Sequence, residues 1–498
     1  MRSRLRLLGL STRSTHHRIL RLNSTVAPTP KPDPTPSQQL LTLREIDRLL
    51  TSIANSSSAN AAHPSPLSMR ADLISWLSSS SPDLASSELD PNAPHAPMTD
   101  KEREELLRPK HMSESFTDFD LPLASDPKLY ERYVNTSGGF RMGKLLEHLD
   151  SLAGAVAYRH CLPTPSSRSK AKNATDAFHE ASARAGLYLA TASADRLDML
   201  GRLNRDNVRD LRFSGFVTWT GNSSMEVVVK MEGSCQTVKD EWDTLLLGRF
   251  AMVCRDSTTH KARKVPPLLV ETAGEKMLWE IGADHTRRKR ESSMMALDKV
   301  PPSSEEAEEL HKLMLQVVDK GVTDIDGRPY RTLLLTTQIT SVLLMFPQGR
   351  NLHGKIFGGL LMRLAFELCF TNAAIFASTP MRFLSLDEIT FRLPVPIGAV
   401  LRLTSKVVHT TMPHGGPDGE AKVHIMVRAE VEEVETGARS ETNTFFFTMA
   451  KEDKNPIGRT VVPSTYAEAM HYLEGKRRLE VGDEMRRLYL GSHRDDEP

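Results

Sequence analysis

The stretch 350-RNLHGKIFGGLLMRLAFELCF-370 places an asparagine, a histidine and a glycine pair directly before an apolar run. Five apolar residues of that run recur at three- and four-residue steps: Leu360, Leu361, Leu364, Ala365 and Leu368. Such spacing predicts a helix with one buried face. Gly358 and Gly359 let the backbone at its start approach another group closely. Since the first amides of a helix are free and attract negative charge, we expect an anion-stabilising end on a buried helix.

The first part of the chain carries a similar stretch, 140-FRMGKLLEHLDSLAGAVAYRHC-161. Its apolar residues at helical spacing are Leu145, Leu146, Leu149, Leu152, Ala153 and Val156. Asp150 stands in the middle of this helix, which is otherwise built for burial. A carboxylate there could take a proton from an attacking water, and partial burial would raise its pKa toward the working range. The alternative is an aspartate on the solvated edge of the helix, paired with Lys144 or Arg141.

Each helix is followed by segments in which apolar and polar residues alternate. In 422-KVHIMVRAEVEEVE-435 the residues from Val423 to Val431 alternate in this way, and 224-SMEVVVKMEG-233 does the same in the first half. Extended segments at 113–123 and 331–346 open the two halves, and 246–256 and 440–453 supply a closing strand to each. The alternation predicts antiparallel sheets with one buried and one wet face.

One helix for several strands predicts an α+β unit in which the sheet curls around its helix. Two such units in one chain would each expose a sheet edge. Pairing the two edges into one continuous sheet removes both, so we expect a pseudo-dimer within the chain.

The N-terminal hundred residues differ in composition from the rest. Residues 1–32 carry six arginines and one lysine with no acid, which is typical of a mitochondrial transit peptide, with a merely basic tail as the alternative. Without those seven charges the net charge of +1 becomes −6, which gives no general affinity for nucleic acid. Residues 34–100 are rich in Ser, Pro, Ala and Asn, so we expect disorder apart from a short helix at 43–54.

Membrane, metal and disulfide signals are weak. No apolar run reaches the roughly 18 residues of a transmembrane helix, so we expect no integral membrane segment. The four cysteines stand far apart, without the spacing of a zinc site or a disulfide framework, and we expect small buried hydrophobic residues and no metal site.

The two helix stretches resemble those of the tandem hot-dog acyl-CoA thioesterases, and most closely the mitochondrial acyl-CoA thioesterase 9 type. The resemblance covers about residues 110–475. It implies two hot-dog domains whose long helices lie antiparallel at the centre of a shared sheet, with acyl-CoA bound between the halves. It also implies hydrolysis of the thioester by an asparagine from one half, matching Asn351, and an aspartate from the other, matching Asp150.

The implied domain order is a transit peptide at 1–32, a disordered Ser/Pro-rich segment at 33–108, hot-dog domain 1 at 109–256, a linker at 257–330, hot-dog domain 2 at 331–455 and a C-terminal helical tail at 456–498. The tail has the pattern of one or two amphipathic helices, which we expect to pack against the sheet.

Thioester hydrolysis needs an activated water and a place for the charge that develops on the carbonyl oxygen. The chain has no GxSxG nucleophile elbow and no cysteine in a catalytic setting, which favours direct attack by water with no cofactor beyond the CoA of the substrate. Asp150 would be the base, Asn351 would hold the water or the thioester, and Gly358 and Gly359 would position the carbonyl oxygen.

A second, pseudo-symmetric site is also predicted. An offset of 217 residues places Glu367 on the second helix where Asp150 stands on the first, and takes Asn351 to Val134, next to Asn135. That offset sets Arg141 and Met142 opposite the glycine pair. We expect this Glu367–Asn135 site to be weak or silent, with Glu367 alternatively supporting the shape of the main site.

Hot-dog folds also host hydratases and dehydratases, and a non-catalytic acyl-CoA binding or sensing module is a further alternative. The pair Asp150 and Asn351 favours hydrolysis. The oligomeric state stays open, although the resemblance to double hot-dogs is compatible with a homo-oligomer, a trimer of double hot-dogs. The transit-like residues 1–32 predict a mitochondrial location, in the matrix. Acyl chain length and the residues that bind the CoA phosphates do not follow from the sequence.

Overall fold

The computed structural model describes residues 47, 51, 98–162, 181–203, 207–235, 241–292, 297, 299–320, 331–349, 355–411, 420–452 and 455–494. The chain divides into residues 1–33, which include the predicted transit peptide and lie outside the described residues, and residues 34–498, to which all of the following belongs. Asp47 and Thr51, inside the predicted short helix, are both helical, and the Thr51 hydroxyl donates to the Asp47 carbonyl at 2.9 Å.

Seven helices are assigned within the described residues: α1 Asp100–Leu106, α2 Pro127–Glu131, α3 Met142–Cys161, α4 Ala273–Ser292, α5 Ser304–Lys320, α6 Gly358–Ala377 and α7 Tyr466–Arg494. Helix α1 lies in the segment predicted to be disordered, so that prediction is wrong at its C-terminal end. The helix is stabilised there by a capping box, in which Thr99 and Glu102 satisfy each other's backbone N–H groups.

The strands of the same residues are β1 Lys110–His111, β2 Thr117–Leu121, β3 Leu187–Ala194, β4 Leu197–Met199, β5 Leu211–Thr220, β6 Ser224–Ser234, β7 Trp242–Asp256, β8 Leu268–Leu269, β9 Arg331–Leu333, β10 Ile339–Leu344, β11 Met381–Leu386, β12 Ile389–Thr390, β13 Val400–Thr410, β14 Lys422–Glu432, β15 Arg439–Lys451 and β16 Thr460–Val462. Twelve of them form one sheet, whose main path runs β10-β13-β14-β15-β11-β4-β7-β6-β5-β2.

The two halves of this sheet join through short antiparallel pairs. Strand β11 pairs with β4 at Ser385 and Leu386, and β12 pairs with β3 at Ile389 and Thr390. The predicted continuous sheet and pseudo-dimer are therefore confirmed. The joint places strand β3 of the first half beside the second half, and β3 carries a residue of the candidate site.

Helices α3 and α6 lie against each other inside the curled sheet. They run antiparallel, because Arg141 at the start of α3 contacts Glu367 in α6, while Asp150, further along α3, meets Gly358 at the start of α6. All six apolar residues predicted for α3 are at most 2% exposed. The helix pair thus brings the middle of one helix to the N-terminus of the other.

The buried face of α6 differs by about one residue from the predicted one. Its buried residues are Gly359, Leu361, Met362, Ala365, Phe366, Cys369, Asn372, Ala373 and Phe376. Leu360, Leu364 and Leu368 are only partly buried and pack around the core. The helix has the length and hydropathy of a membrane span, but it packs here against α3 and strands of its own half.

The outer face of the sheet is covered in both halves, which corrects the expectation of a wet face. In the first half, α4 from the linker region packs on β5, and Leu278 joins Phe216 and Val228. In the second half, the tail helix α7 packs on β13 and β14 and buries His424 completely, as the prediction for the tail implied. Three of the four free cysteines are buried, as expected, and Cys235 is partly exposed.

Candidate active site

Asp150 is fully buried where α3 crosses the start of α6. The hydroxyl of Thr191, on strand β3, donates to Asp150 Oδ1 at 2.9 Å. The solvated-edge alternative does not apply, because Arg141 pairs with Glu367 and Lys144 donates to the carbonyl of Arg132. The carboxyl therefore faces the interior between the two halves.

The glycine pair makes the close approach of the two helices possible. A Cβ atom on Gly358 would lie 3.1 Å from Asp150 Oδ2 and 3.3 Å from the ring of Phe391. A Cβ atom on Gly359 would lie 2.5 Å from the ring of Phe357 and 3.0 Å from the carbonyl oxygen of Glu147. The N-terminus of α6 can thus lie directly against Asp150 only because these two positions lack side chains.

Burial sets the ionisation of the site. Loss of hydration raises the pKa of Asp150 to about 6, against the lowering by the Thr191 hydroxyl and the Gly359 N–H, and the nearby Glu147 raises it further. The Gly359 amide acts at a distance, since Oδ2 accepts no hydrogen bond from any described residue. Asp150 is therefore ionised at neutral pH and has a free lone pair, as a general base requires.

Asn351, the predicted partner of Asp150, lies outside the described residues. The described chain resumes at Lys355, and the Ile356 N–H donates to the Val395 carbonyl at 3.0 Å just before α6 begins at Gly358. The segment that contains Asn351 thus leads into the helix end that faces Asp150. Its role beside Asp150 stays a prediction.

The two long helices match at an offset of 216 residues, not 217. Helices α3 and α6 both contain 20 residues, and 358 − 142 and 377 − 161 both equal 216. The burial pattern agrees, since Leu145, Leu149 and Ala153 then match the buried Leu361, Ala365 and Cys369. The error arose because leucines at helical spacing fit either register.

The corrected register changes the second site. Asn351 now matches Asn135 directly, but the counterpart of Asp150 is Phe366 rather than Glu367. Phe366 packs edge-to-face on Phe383, with ring centroids 5.6 Å apart. Phe383 and Thr191 each stand directly before the bulge of their strand, in β11 and β3. An aromatic pair therefore occupies the place where the first site has its aspartate and threonine.

The structure does not bring Glu367 and Asn135 together as a site. Glu367 is about one-third exposed and accepts two hydrogen bonds from Arg141, at 2.6 and 2.9 Å. The Asn135 side chain bonds within its own turn, to the backbone of Ser137, Gly139 and Phe140. The expectation of a silent second site stays a prediction, and these contacts support it.

Sequence reasoning missed two features of the site. Thr191 is one hydroxyl in an ordinary strand, 187-LYLATASA-194, and no pattern marks it. Glu147, one helical turn before Asp150, is buried and forms a cross-helix ion pair with Arg363 at 2.7 Å. Its spacing of three residues from Asp150 on a buried helix was a usable signal.

A separate polar cluster lies under α4, on the outer side of the first half. His285 bonds through Nε2 to Asp195 and through Nδ1 to Glu226, both at 2.9 Å, beside a cavity of about 90 Å³. Burial and Arg249 lower the pKa of His285, but the two carboxylates outweigh them and raise it to about 9. These three residues could offer metal ligands, yet each imidazole nitrogen is engaged by a different carboxylate, and Arg249, 3.3 Å from Asp195, balances the remaining negative charge.

Comparison with known proteins identifies similar chains. "Acyl-coenzyme A thioesterase 9, mitochondrial" of Mus musculus is 32% identical over 379 residues, which cover 75% of this chain and 79% of that protein. The Homo sapiens protein of the same name is 32% identical over 374 residues, covering 74% and 78%. "Acyl-coenzyme A thioesterase 2, chloroplastic" of Humulus lupulus is 34% identical over 388 residues, covering 76% and 83%. No family model matches the chain.

Solved structures with similar folds cover parts of the chain. An acyl-CoA hydrolase from Staphylococcus aureus in complex with butyryl coenzyme A, coenzyme A and coenzyme A disulfide is 20% identical, with a TM-score of 0.29. It covers 33% of this chain and 97% of its own. A putative oleoyl thioesterase from Lactobacillus plantarum is 7% identical with a TM-score of 0.38, and covers 68% of this chain and 95% of its own.

Proposed function

The chain belongs to the family of the mitochondrial acyl-CoA thioesterase 9 proteins, and on this premise we propose that it hydrolyses acyl-CoA to a free fatty acid and CoA at the Asp150 site. The observation that carries the proposal is the burial of Asp150 from the first half against the glycine N-terminus of α6 from the second. Neither half of the chain contains both the carboxylate and the helix N-terminus that faces it. A binding module would have no need to bury a carboxylate that is ionised at neutral pH, which costs free energy.

In the proposed reaction Asp150 takes a proton from water while the water oxygen attacks the thioester carbonyl carbon. The charge that develops on the carbonyl oxygen is stabilised by the Gly359 N–H and by the positive end of the α6 dipole. The carbon–sulfur bond then breaks, and the proton held by Asp150 passes to the departing CoA sulfur. Asn351 would hold the attacking water or the thioester, and no cofactor takes part.

Release of free CoA from short-, medium- and long-chain acyl-CoA tests this proposal and reports chain length. The full chain is compared with Asp150→Asn and Asn351→Ala. We expect both variants to lose at least about 100-fold in kcat, since removal of a general base at Asp150, or of a group that positions the water or the thioester at Asn351, typically costs that much. Full activity in both would reject the site, and binding of acyl-CoA without turnover by the unmodified protein would favour the sensing module.

We also propose a location in the mitochondrial matrix. The names of the mammalian relatives and the basic, acid-free residues 1–32 support it. Deleting residues 1–32 from a reporter fusion should abolish import, and an unchanged location would contradict the proposal.

Self-association, as a trimer of double hot-dogs, is the proposed assembly. Strand β10 is one edge of the sheet, and Val342, Leu344 and the nearby Phe346 are each about half exposed or more. Uncharged apolar residues at a sheet edge favour contact with another chain. Light scattering should give three times the mass of one chain, whereas a concentration-independent monomer would contradict this assembly.

A further inference from the structure

Glu147 and Arg363 occupy the same position in the two halves. The offset of 216 that superposes α3 on α6 takes residue 147 to residue 363. The two side chains meet where the helices cross, and Arg363 Nη1 donates to Glu147 Oε2 at 2.7 Å. Two identical halves would place like charges at this point, so the ion pair exists only because the halves differ.

The pair is asymmetric in what it faces. Glu147 lies one helical turn before Asp150 on α3 and is 4% exposed. Arg363 lies one turn before the counterpart of Asp150, which is the apolar Phe366. A charge placed here can therefore act on an ionisable group in only one of the two pseudo-symmetric sites.

Burial raises the pKa of Glu147 above its ordinary value, and Arg363 limits that rise through its charge and its hydrogen bond. Without the arginine, a carboxyl at this depth would favour its neutral form. With it, Glu147 can keep a negative charge close to Asp150. The arginine thus determines whether Asp150 has a charged or a neutral neighbour.

We propose that Glu147, kept ionised by Arg363 across the pseudo-twofold axis, is a positioning residue that increases the proton affinity of the Asp150 base. This rests on the proposed function for its effect on rate. In this arrangement the second half affects Asp150 in two ways. The N-terminus of α6 faces the carboxylate, and Arg363 keeps the neighbouring Glu147 charged.

The groups that face Asp150 are few. The charged neighbour is Glu147 on α3. The two uncharged neighbours are the Thr191 hydroxyl on β3 and the Gly359 N–H on α6. The charged groups that act on Glu147 are Arg363 and Lys144, which lower its pKa, and Glu367, which raises it and is itself paired with Arg141. Arg350 and His353 precede α6 and lie outside the described residues.

The test compares Glu147→Gln, Arg363→Met and the double variant with the unmodified full chain. Arg402→Met is the matched control, because it removes a partly buried arginine that pairs with Glu432 in the sheet and acts on neither Glu147 nor Asp150. The first readout is the acid limb of kcat/KM against pH for acyl-CoA hydrolysis. The second is the pH dependence of unfolding for each variant with and without Asp150→Asn, which reports the Asp150 pKa without any activity.

We expect Glu147→Gln to move the acid limb to lower pH by roughly 0.5 to 1 unit, the effect of one screened charge about 6 Å away. Arg363→Met should also move the acid limb to lower pH, because the unpaired Glu147 takes up a proton. In the double variant the acid limb should move no further than in the single variant with the larger shift. Arg402→Met should leave the acid limb at the same pH.

If the acid limb of Glu147→Gln stays at the same pH or moves to higher pH, the proposal is overturned. A move to higher pH in Arg363→Met would overturn the role assigned to the arginine. If Asp150→Asn is fully active, the proposed function fails while the unfolding data still decide whether Glu147 acts on Asp150. If the unfolding data show no change in the Asp150 pKa, the inference fails and the hydrolase proposal stands.

Discussion

Replacement of Asp150 by asparagine should abolish activity and make the protein more stable at neutral pH. Asparagine keeps the shape of the side chain and an oxygen for the Thr191 hydroxyl, but it cannot carry the charge that burial opposes. Activity and stability should therefore change in opposite directions at a single position. Such a result is expected of a buried group that must be ionised for activity and that lowers the stability of the folded protein when it is ionised.

The magnitude follows from the pKa. An aspartate that titrates at about 6 in the folded chain and at about 3.8 when unfolded loses about 3 kcal/mol of folding free energy once it is ionised. This cost is absent below about pH 4, where both states hold the proton, and is complete above about pH 6. Asp150→Asn should accordingly gain between about 1 and 3 kcal/mol at pH 8 and almost nothing at pH 4, the lower figure allowing for imperfect accommodation of the amide.

Denaturant unfolding at pH 4 and pH 8, alongside CoA release at pH 8, measures both effects. Asp387→Asn is the matched control, because Asp387 is equally buried but ion-paired with Arg196, and that pairing holds its pKa below the usual value. The control should lose stability at pH 8, since Arg196 then keeps Asp198 as a carboxylate partner but loses Asp387, and Arg478 loses its contact with the same carboxylate. An Asp150→Asn protein that is active, or that is less stable at pH 8 than the unmodified chain, would show that Asp150 is not a buried base held in its ionised form.

Three further substitutions test the surroundings of Asp150. Thr191→Val removes a hydrogen bond that lowers the pKa of Asp150, so the acid limb of the pH–rate profile should move to higher pH and kcat should fall about 10-fold; an unchanged profile would contradict this role. Gly358→Val puts side-chain atoms against the carboxylate, so kcat should fall at least about 10-fold, and normal turnover would show that the close approach is not needed. Phe366→Ala should cost about 3 to 4 kcal/mol of stability in denaturant titrations while turnover per folded molecule persists, and a loss of turnover in folded protein would place chemistry at the second site.

Periodicity predicted the elements that bury a single face. The helix over 142–161 and the strands at 224–234 and 422–432 follow from apolar spacing alone, and pairing of the two sheet edges follows from the cost of leaving them open. The position of Asp150 was predictable for the same reason, because a charged residue in a buried helix stands out from its surroundings.

The outer layer could not be read from the strands. Their second faces carry residues such as Glu226 and His424, which look solvated by type, yet both are buried under helices from distant parts of the chain. Coverage of a sheet face depends on what packs there, and the strand sequence alone does not contain that information. The role of Thr191 could not be predicted for a similar reason, since its partner Asp150 lies 41 residues earlier, on helix α3.

The register of the pseudo-symmetry was uncertain by one residue because leucines on a helix surface match at neighbouring offsets. Only the common bounds of α3 and α6 and the shared burial pattern distinguish 216 from 217. The consequence is large, since one residue decides whether the counterpart of Asp150 is Phe366 or Glu367. The structure shows that the counterpart is Phe366, because its ring packs against Phe383 of the sheet.

The proposed reaction requires one composite site formed by Asp150 and the N-terminus of α6. A crystal structure with a ketone analogue of acyl-CoA, in which a methylene group replaces the thioester sulfur, would locate this site. We expect one analogue per chain, with its carbonyl oxygen toward the Gly359 N–H and its carbonyl carbon within reach of a water held by Asp150. An analogue seated beside Phe366 and Glu367, or a carbonyl group separated from Asp150 by packed protein, would contradict it.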